Sequence, residues 1–302
     1  MKKNVLKTIG IIALLLVVYM SLQGIFSFVG VVIMMVAYAA GSGAADFGEA
    51  MSMFNEAGVQ GLPEALRAYT YQGMALGLFL STVAMLLFMH FAKFYRMRLS
   101  IFSSIKLKPL FYSTLLVFTS MFALNILVQW FSLVDSLENE FDALTHTFLG
   151  ALTISVLAPL LEEVLFRGAI QGYVMRRVKY PWVAIVVAAL VFGVIHLNPV
   201  QIAYATLLGV VFGWLYYRTG SLLSVVVGHV LNNTLATIMM LTMGNTDESE
   251  LLQDVLSPAA QLGSEIAMFV VFALISLQIA LKLHRMLPTP PQPWRESNEP
   301  VE

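Results

Sequence analysis

The stretch LEEVLFRG, residues 161–168, places two glutamates and an arginine inside a long apolar segment. A charged side chain near the centre of a bilayer costs on the order of a few kcal/mol, so such residues persist mainly where they are paired or used. Glu163 and Arg167 are four residues apart, a spacing that allows an ion pair on one face of a helix. Glu162 points about 100° away from Glu163 on a helix, so it is predicted to be the freer carboxylate, available as a base or a ligand.

The composition is that of a membrane protein. The chain has 302 residues, of which 59% are hydrophobic and 12% charged, and its mean hydropathy is +0.80. Soluble domains carry about 25% charged residues, so we predict an all-α polytopic membrane protein. The absence of cysteine excludes disulfides, thiolate metal sites and a cysteine nucleophile. The net charge of −1 gives no indication of nucleic-acid binding, and no such partner is predicted.

Apolar segments long enough to cross a bilayer predict about eight transmembrane helices, with the active site inside the helix bundle. The first apolar run far exceeds the roughly 7–15 residues of a signal-peptide core, which favours an uncleaved anchor. Of the 17 Lys and Arg, only Arg67 falls on the side that carries most of the acidic loops, and the positive-inside rule therefore places both termini in the cytoplasm. The segments are 8–40, 70–94, 109–134, 147–176, 181–197, 201–217, 221–243 and 262–284.

Polar residues of three separate segments are predicted to meet at one depth. Counted from the cytoplasmic end of its own helix, Glu162 lies roughly 22 Å deep, His196 about 21 Å and His229 about 16 Å. This requires the fourth segment to remain helical past Arg167. Asn233 follows His229 by one helical turn, on the same face. A carboxylate, two imidazoles and an amide are therefore expected in one site.

The neighbouring polar and aromatic residues are interpreted as structural. Asn232 and Asn198 are read as packing or loop-capping residues. Phe192, one turn before His196, is read as a packing residue that shapes the pocket.

The three segments resemble the motif set of the CAAX protease and bacteriocin-processing family of intramembrane proteases, also called the Abi family. Its pattern is EExxxR, then FxxxH, then HxxxN or HxxxD. Here the motifs read EEVLFR (162–167), FGVIH (192–196) and HVLNN (229–233), in order and on separate segments. The resemblance covers roughly residues 145–240.

The resemblance implies an intramembrane endopeptidase in which Glu162 and His196 activate a water. His229 and Asn233 would stabilise the oxyanion or help to hold the site. The remaining motif members, Glu163, Arg167 and Phe192, have less settled or supporting roles.

Metal dependence is open at this stage. The family is often described as metal-dependent, whereas its best-understood eukaryotic-type branch looks like a glutamate protease. Zinc with an open coordination position would suit Glu162, His196 and His229, although the usual HExxH motif is absent. We favour a site that requires no cofactor, with zinc as the alternative.

The predicted organisation has four parts: residues 1–144, an N-terminal region of three spans without motif support; 145–240, the catalytic core; 241–284, an outer loop and the last span; and 285–302, a disordered cytoplasmic tail. Loop 41–68 is a connector or a short helix along the outer interface. The expected location is a bacterial cytoplasmic membrane. The expected partners are the lipid bilayer and a membrane-embedded or secreted peptide or protein substrate.

Two other classes of function fit some of these features. A proton-coupled transporter would also place Glu and His in the membrane, but its sites tend to recur between repeats, and the first half of this chain is nearly bare of them. A membrane scaffold or regulator would not need all three motifs. Nothing in the sequence selects for a prenylated substrate.

Overall fold

A computed structural model describes residues 2–42, 47–92, 105–133, 138–243, 257–288 and 290. These residues form helices and no strands. Seven helices are long and apolar enough to cross a membrane, which confirms the predicted all-α polytopic class. In chain order the helices are α1 Lys2–Ser42, α2 Phe47–Ala57, α3 Glu64–Phe91, α4 Leu107–Gln129, α5 Glu138–Thr145, α6 Phe148–Met175, α7 Pro181–Val194, α8 Pro199–Thr219, α9 Leu223–Met243 and α10 Pro258–Met286.

Each of the eight predicted apolar segments contains a helix, but one of these helices is too short to cross a bilayer. Helix α7 has 14 residues, whereas a span needs about 20. The predicted segment 181–197 ends early because the chain turns after Val194, where Leu197 adopts a positive φ of 57°. The described residues therefore form seven helices of spanning length, and the fifth of the eight predicted segments contains only this short apolar helix.

Local sequence signals set the ends of the helices around this short element. Pro181 and Pro199 stand in the first turns of α7 and α8, where a missing backbone N–H costs nothing. The Asn198 side chain caps α8 by accepting a hydrogen bond from the Val200 N–H at 3.2 Å, so its interpretation as a capping residue is confirmed. Helix α8 stops at Gly220, which adopts the left-handed conformation with φ of 65°.

Helix α6 carries the EEVLFR motif and is not a uniform α-helix. Residues Thr153–Leu157 and Glu163–Gln171 form π-helical turns, separated by α-helical turns. The prediction that the helix continues past Arg167 is confirmed, but its π-helical character was missed. π-Helical turns inside α-helices occur frequently at functional sites.

The chain divides into two compact units. The first comprises Met1–Lys93 and Asn139–Leu161, and the second comprises Phe94–Glu138 and Glu162–Glu302. All residues of the three motifs belong to the second unit.

In the first unit, α1 packs along α3 through glycines. A side chain added at Gly30 would run into the backbone of Gly73 and Gly77, so the two helices approach closely. The short helix that was one reading of loop 41–68 is present as α2, and its Ala50 is fully buried. Residues 43–46 of that loop lie outside the described residues.

In the second unit, α7 packs against α8, and α4 packs against α8, α9 and α10. Basic residues gather at one end of this unit. Arg218, at the end of α8, donates hydrogen bonds to the carbonyls of His284 and Leu287, at the end of α10. The Lys282 ammonium lies 4.3 Å from the ring centroid of Tyr112, near the start of α4.

At the opposite end, Trp130 of α4 donates to Glu265 of α10 at 3.1 Å. This separation of basic and acidic ends follows the charge pattern of the sequence. The acidic loop 244–256 and the predicted tail, apart from residues 285–288 and 290, lie outside the described residues.

Candidate active site

Glu163 and Arg167 form a fully buried ion pair beneath the rest of the site. Neither side chain is exposed to solvent, and Arg167 Nη1 donates to Glu163 Oε1 at 3.0 Å. The ion pair predicted from their spacing is therefore confirmed. The same oxygen of Glu163 also accepts a hydrogen bond from His229 Nδ1 at 2.8 Å, a contact that the sequence did not suggest. One carboxylate oxygen thus holds residues from two helices.

This hydrogen bond fixes how His229 presents its other nitrogen. Because Nδ1 must carry a proton to donate to Glu163, Nε2 is the nitrogen left for other chemistry. Nε2 lies 3.6 Å from Glu162 Oε2, and both side chains are largely buried. That distance is longer than a hydrogen bond. Glu162 therefore faces His229 without being tied into the Glu163–Arg167 pair.

Besides the carboxylate of Glu163, three other groups contact the guanidinium of Arg167. Its Nη2 donates to the carbonyl of Gly209 in α8 at 3.2 Å. Its central carbon lies 4.5 Å from the ring centroid of Phe192 and 5.1 Å from that of Phe212. Cation–π contacts of this kind are strongest where water is excluded. The arginine therefore joins α6, α7 and α8 beneath the two imidazoles.

Phe192 contacts both histidines. Its ring centroid lies 5.1 Å from that of His196 and 5.8 Å from that of His229, with nearly perpendicular planes in each case. It also meets Phe166 of α6 edge to face at 5.1 Å. The Phe192 ring therefore covers one side of each imidazole with an apolar surface.

His196 follows the last turn of α7, where the helix has ended and the side chain is partly exposed. Its Nδ1 lies 2.8 Å from the carbonyl oxygen of Phe192, and since a carbonyl only accepts, Nδ1 carries the proton. In neutral His196, Nε2 is then free of a proton and can accept one.

The amide of Asn233 belongs to a hydrogen-bonded chain that begins on α8. Tyr204 donates to Asn232 Oδ1 at 2.6 Å, and Asn232 Nδ2 donates to Asn233 Oδ1 at 3.0 Å. The interpretation of Asn232 as a packing residue was therefore incomplete, because its amide bridges two other polar groups.

Sequence reasoning missed three contributors from α8, namely Tyr204, Gly209 and Phe212. Tyr204 and Phe212 are eight residues apart and so share one helical face. This spacing could have indicated that one face of α8 points towards the site. The search for site residues followed ionisable groups, and none of these three residues ionises near neutral pH.

The zinc alternative takes Glu162, His196 and His229 as ligands. Among the described residues, no group of three or more His, Asp or Glu is arranged to hold a metal ion. Nδ1 of His229 donates to Glu163, which leaves Nε2 as the nitrogen that could bind a metal ion. Metal dependence therefore stays a prediction for experiment.

Comparison with known proteins finds similarity over the region that carries the three motifs. Residues 144–235 match the family model of type II CAAX prenyl endopeptidase Rce1-like. A protein of Bacillus subtilis (strain 168), "Putative membrane peptidase YdiL", is 28% identical over 100 residues, which are 33% of this chain and 41% of that protein. The chain thus matches about two fifths of the length of that relative. No solved structure matches the chain significantly. With its three motifs in order on α6, α7 and α9, the region 144–235 is similar to proteins of the CAAX protease and bacteriocin-processing family.

Proposed function

We propose that this integral membrane protein is an intramembrane endopeptidase that hydrolyses peptide bonds in membrane-associated or secreted peptides and proteins. The observation that supports this most strongly is the pairing of Glu162 with His229. A nearly buried carboxylate that is not part of the ion pair beside it faces an imidazole nitrogen at 3.6 Å. A second imidazole, that of His196, packs against the same Phe192 ring as His229.

In the proposed reaction, Glu162 and His196 activate a water molecule. Glu162 takes a proton from the water, whose oxygen attacks the scissile carbonyl carbon and forms a tetrahedral oxyanion. The carbon–nitrogen bond then breaks, and the proton passes to the leaving amine. The water oxygen remains in the new carboxylate. A carboxylate acting first as base and then as acid fits general acid–base catalysis.

His229 and Asn233 are proposed to stabilise the oxyanion. His229 already donates from Nδ1 to Glu163, so a second donation from Nε2 requires the imidazolium form. Asn233 would add a neutral amide donor.

No step of this proposal passes through a metal ion. The family resemblance leaves room for zinc, but the donor groups as placed support direct acid–base chemistry. We therefore propose that no cofactor is required, and the Discussion gives a test of the zinc alternative.

We also propose a location in a bacterial cytoplasmic membrane with both termini in the cytoplasm. The contacts of Arg218 and Lys282 support this orientation, because they gather basic groups of α4, α8 and α10 at one end of the second unit. Basic residues are enriched on the cytoplasmic side of membrane proteins.

Cleavage by purified protein in lipid vesicles tests the proposed function. Two internally quenched fluorogenic peptides serve as probes, one an apolar transmembrane helix and the other a soluble sequence ending in a farnesylated CAAX motif. Wild type is expected to cleave at least one probe, whereas Glu162→Gln and His196→Ala cleave neither while keeping the wild-type unfolding temperature. Tyr180→Phe, at an exposed position, is the control. Equal cleavage by wild type and Glu162→Gln would contradict the proposal, as would no cleavage of either probe by folded wild type.

A further inference from the structure

The hydrogen-bonded chain from Tyr204 through Asn232 to Asn233 has a definite direction. A phenol is protonated at neutral pH and donates one hydrogen bond. Its oxygen could also accept, but the 2.6 Å contact with Asn232 has the length of an O–H···O rather than an N–H···O hydrogen bond, so the atom that faces Tyr204 is Oδ1. The Nδ2 of Asn232 is then the atom that faces Asn233, and it donates to Asn233 Oδ1 at 3.0 Å.

This direction determines which way the amide of Asn233 is turned. Because Oδ1 of Asn233 is engaged by Asn232, its Nδ2 must point away from Asn232. If both asparagine amides were rotated by 180°, Asn233 would donate towards Asn232 and present an oxygen in place of the NH2 group. An oxygen would repel an oxyanion. The orientation set by Tyr204 is therefore the one that an oxyanion donor needs.

We propose that Tyr204 and Asn232 are positioning residues, which act through Asn233 by holding its NH2 group towards the reacting carbonyl. This inference rests on the proposed function. It concerns Tyr204 on α8, which carries no motif, and Asn232, which occupies one of the variable positions of the third motif. Neither residue is proposed to touch the substrate.

A purely structural role for Tyr204 in joining α8 to α9 is less consistent with the contacts of the connecting turn. Thr219 and Ser224 join the two helices there through their hydroxyls at 2.8 Å. Ser224 also donates to the carbonyl of Ser221 at 2.7 Å. The helix pair is therefore tied at the turn without help from Tyr204, and a single hydroxyl deletion is expected to leave it folded.

A double-mutant cycle on the quenched peptide that wild type cleaves tests the inference. Tyr204→Phe removes the hydroxyl and keeps the ring. Since losing an oxyanion donor outright costs on the order of 10²–10³ in rate, misorienting it is expected to lower kcat about tenfold and to leave KM within about twofold. In the Asn233→Ala background, Tyr204→Phe is expected to have almost no further effect, because the group that it orients is gone. Tyr180→Phe is the matched control and is expected to behave as wild type in both backgrounds.

Each result bears on the inference. The same loss from Tyr204→Phe in both backgrounds, or no loss in either, would overturn it. If Tyr204→Phe does not fold, Asn232→Ala breaks the chain at its next link and is judged by the same criteria; loss of folding in both variants would establish a structural role and also overturn the inference. If Glu162→Gln is inactive and Tyr204→Phe is fully active, the inference is rejected and the proposed function stands. If Glu162→Gln is active, the proposed function itself is rejected.

Discussion

At the scale of single residues, the central group is Glu163, not the more exposed Glu162. One oxygen of Glu163 accepts from both Arg167 and His229, and all three side chains are buried. Removing one member of a buried charge pair costs about 3–5 kcal/mol, because the remaining charge is left without compensation. The two adjacent glutamates therefore have different tasks, and substitution should separate them.

Glu162→Gln and Glu163→Gln are expected to fail in different ways. Glu162→Gln keeps the shape but removes the base, so cleavage should be lost while the unfolding temperature in detergent stays near that of wild type. Glu163→Gln leaves Arg167 without a countercharge and His229 without its carboxylate, so the free energy of unfolding should fall by about 3 kcal/mol or more as cleavage is lost. Thermal unfolding and peptide cleavage, measured on the same preparations, check this. Loss of activity without loss of stability in both variants would contradict the separate roles.

Asn233→Ala distinguishes oxyanion stabilisation from zinc chemistry. If Asn233 donates to the oxyanion, kcat should fall by on the order of 10²–10³ and chelators should change the rate little. A zinc enzyme would instead contain about one metal per chain, lose activity on chelation and regain it with zinc. Metal analysis and chelator titration of the purified protein provide the measurement. Stoichiometric zinc together with nearly normal activity of Asn233→Ala would contradict the metal-free proposal.

Spacing along one helix predicted the Glu163–Arg167 pair, because residues four apart meet whatever the rest of the fold does. The contact between Glu163 and His229 joins residues 66 positions apart. No periodicity in the sequence reports which atom of His229 such a contact uses. The estimate of depth in the membrane predicted that His229 comes near Glu162, and it did not show that Nδ1 of His229 donates to Glu163.

At the scale of helices, the site depends on how closely α8 approaches its neighbours. Arg167 and Gln171 of α6 donate to the carbonyls of Gly209 and Gly213, at 3.2 and 2.8 Å. Both donors and both acceptors are four residues apart, so the two hydrogen bonds lie one above the other. Glycine leaves room for this approach. A side chain added at Gly209 would stand 3.2 Å from Ala189 and from the Phe192 ring.

Gly209→Leu is expected to force α7 away from α8 and to displace Phe192 from the two imidazoles. Overpacking of this kind costs about 1–3 kcal/mol, and cleavage should fall with it. Gly263→Leu in α10 is the matched control, since nothing lies within 4 Å of a side chain added there. The unfolding temperatures of the two variants and of wild type check the prediction. Equal stability of all three would show that close packing at Gly209 is unimportant.

The sequence predicted where helices lie better than it predicted their internal form. Hydropathy located every helical segment longer than 11 residues in the described chain, because burial in lipid demands long apolar runs. It did not reveal the π-helical turn at Glu163–Gln171, because the same side-chain pattern suits an α-helix. The short length of α7 was missed because the apolar run continues to Leu197 beyond the last helical residue.

At the scale of the whole molecule, the chemistry is confined to one of two compact units. The second unit holds every motif residue, whereas the first consists of α1, α2, α3, most of α5 and the beginning of α6. Residues 144–235, which match the family, supply nearly all of the site. The organisation predicted for the remaining parts of the chain stays a prediction.

Reporter fusions test the orientation of the whole chain. A reporter fused after Gln292 should be active in the cytoplasm, and one inserted within 245–258 should be active outside. The physical reason is the excess of Lys and Arg at one end of the spans. Arg67 is the one basic residue predicted on the outer side, so a reporter placed beside it serves as an independent control and should read external. Reversal at either of the first two sites would contradict the orientation.

The most direct test of the central claim is a single turnover in water labelled with ¹⁸O. Excess purified protein in vesicles is mixed with the quenched peptide that it cleaves, and both product and protein are analysed by mass spectrometry. If Glu162 activates a water, the new carboxylate of the product carries one ¹⁸O and Glu162 itself carries none. An ¹⁸O label found in the Glu162 carboxylate after one turnover would show that this residue attacks the peptide directly. That result would contradict the account.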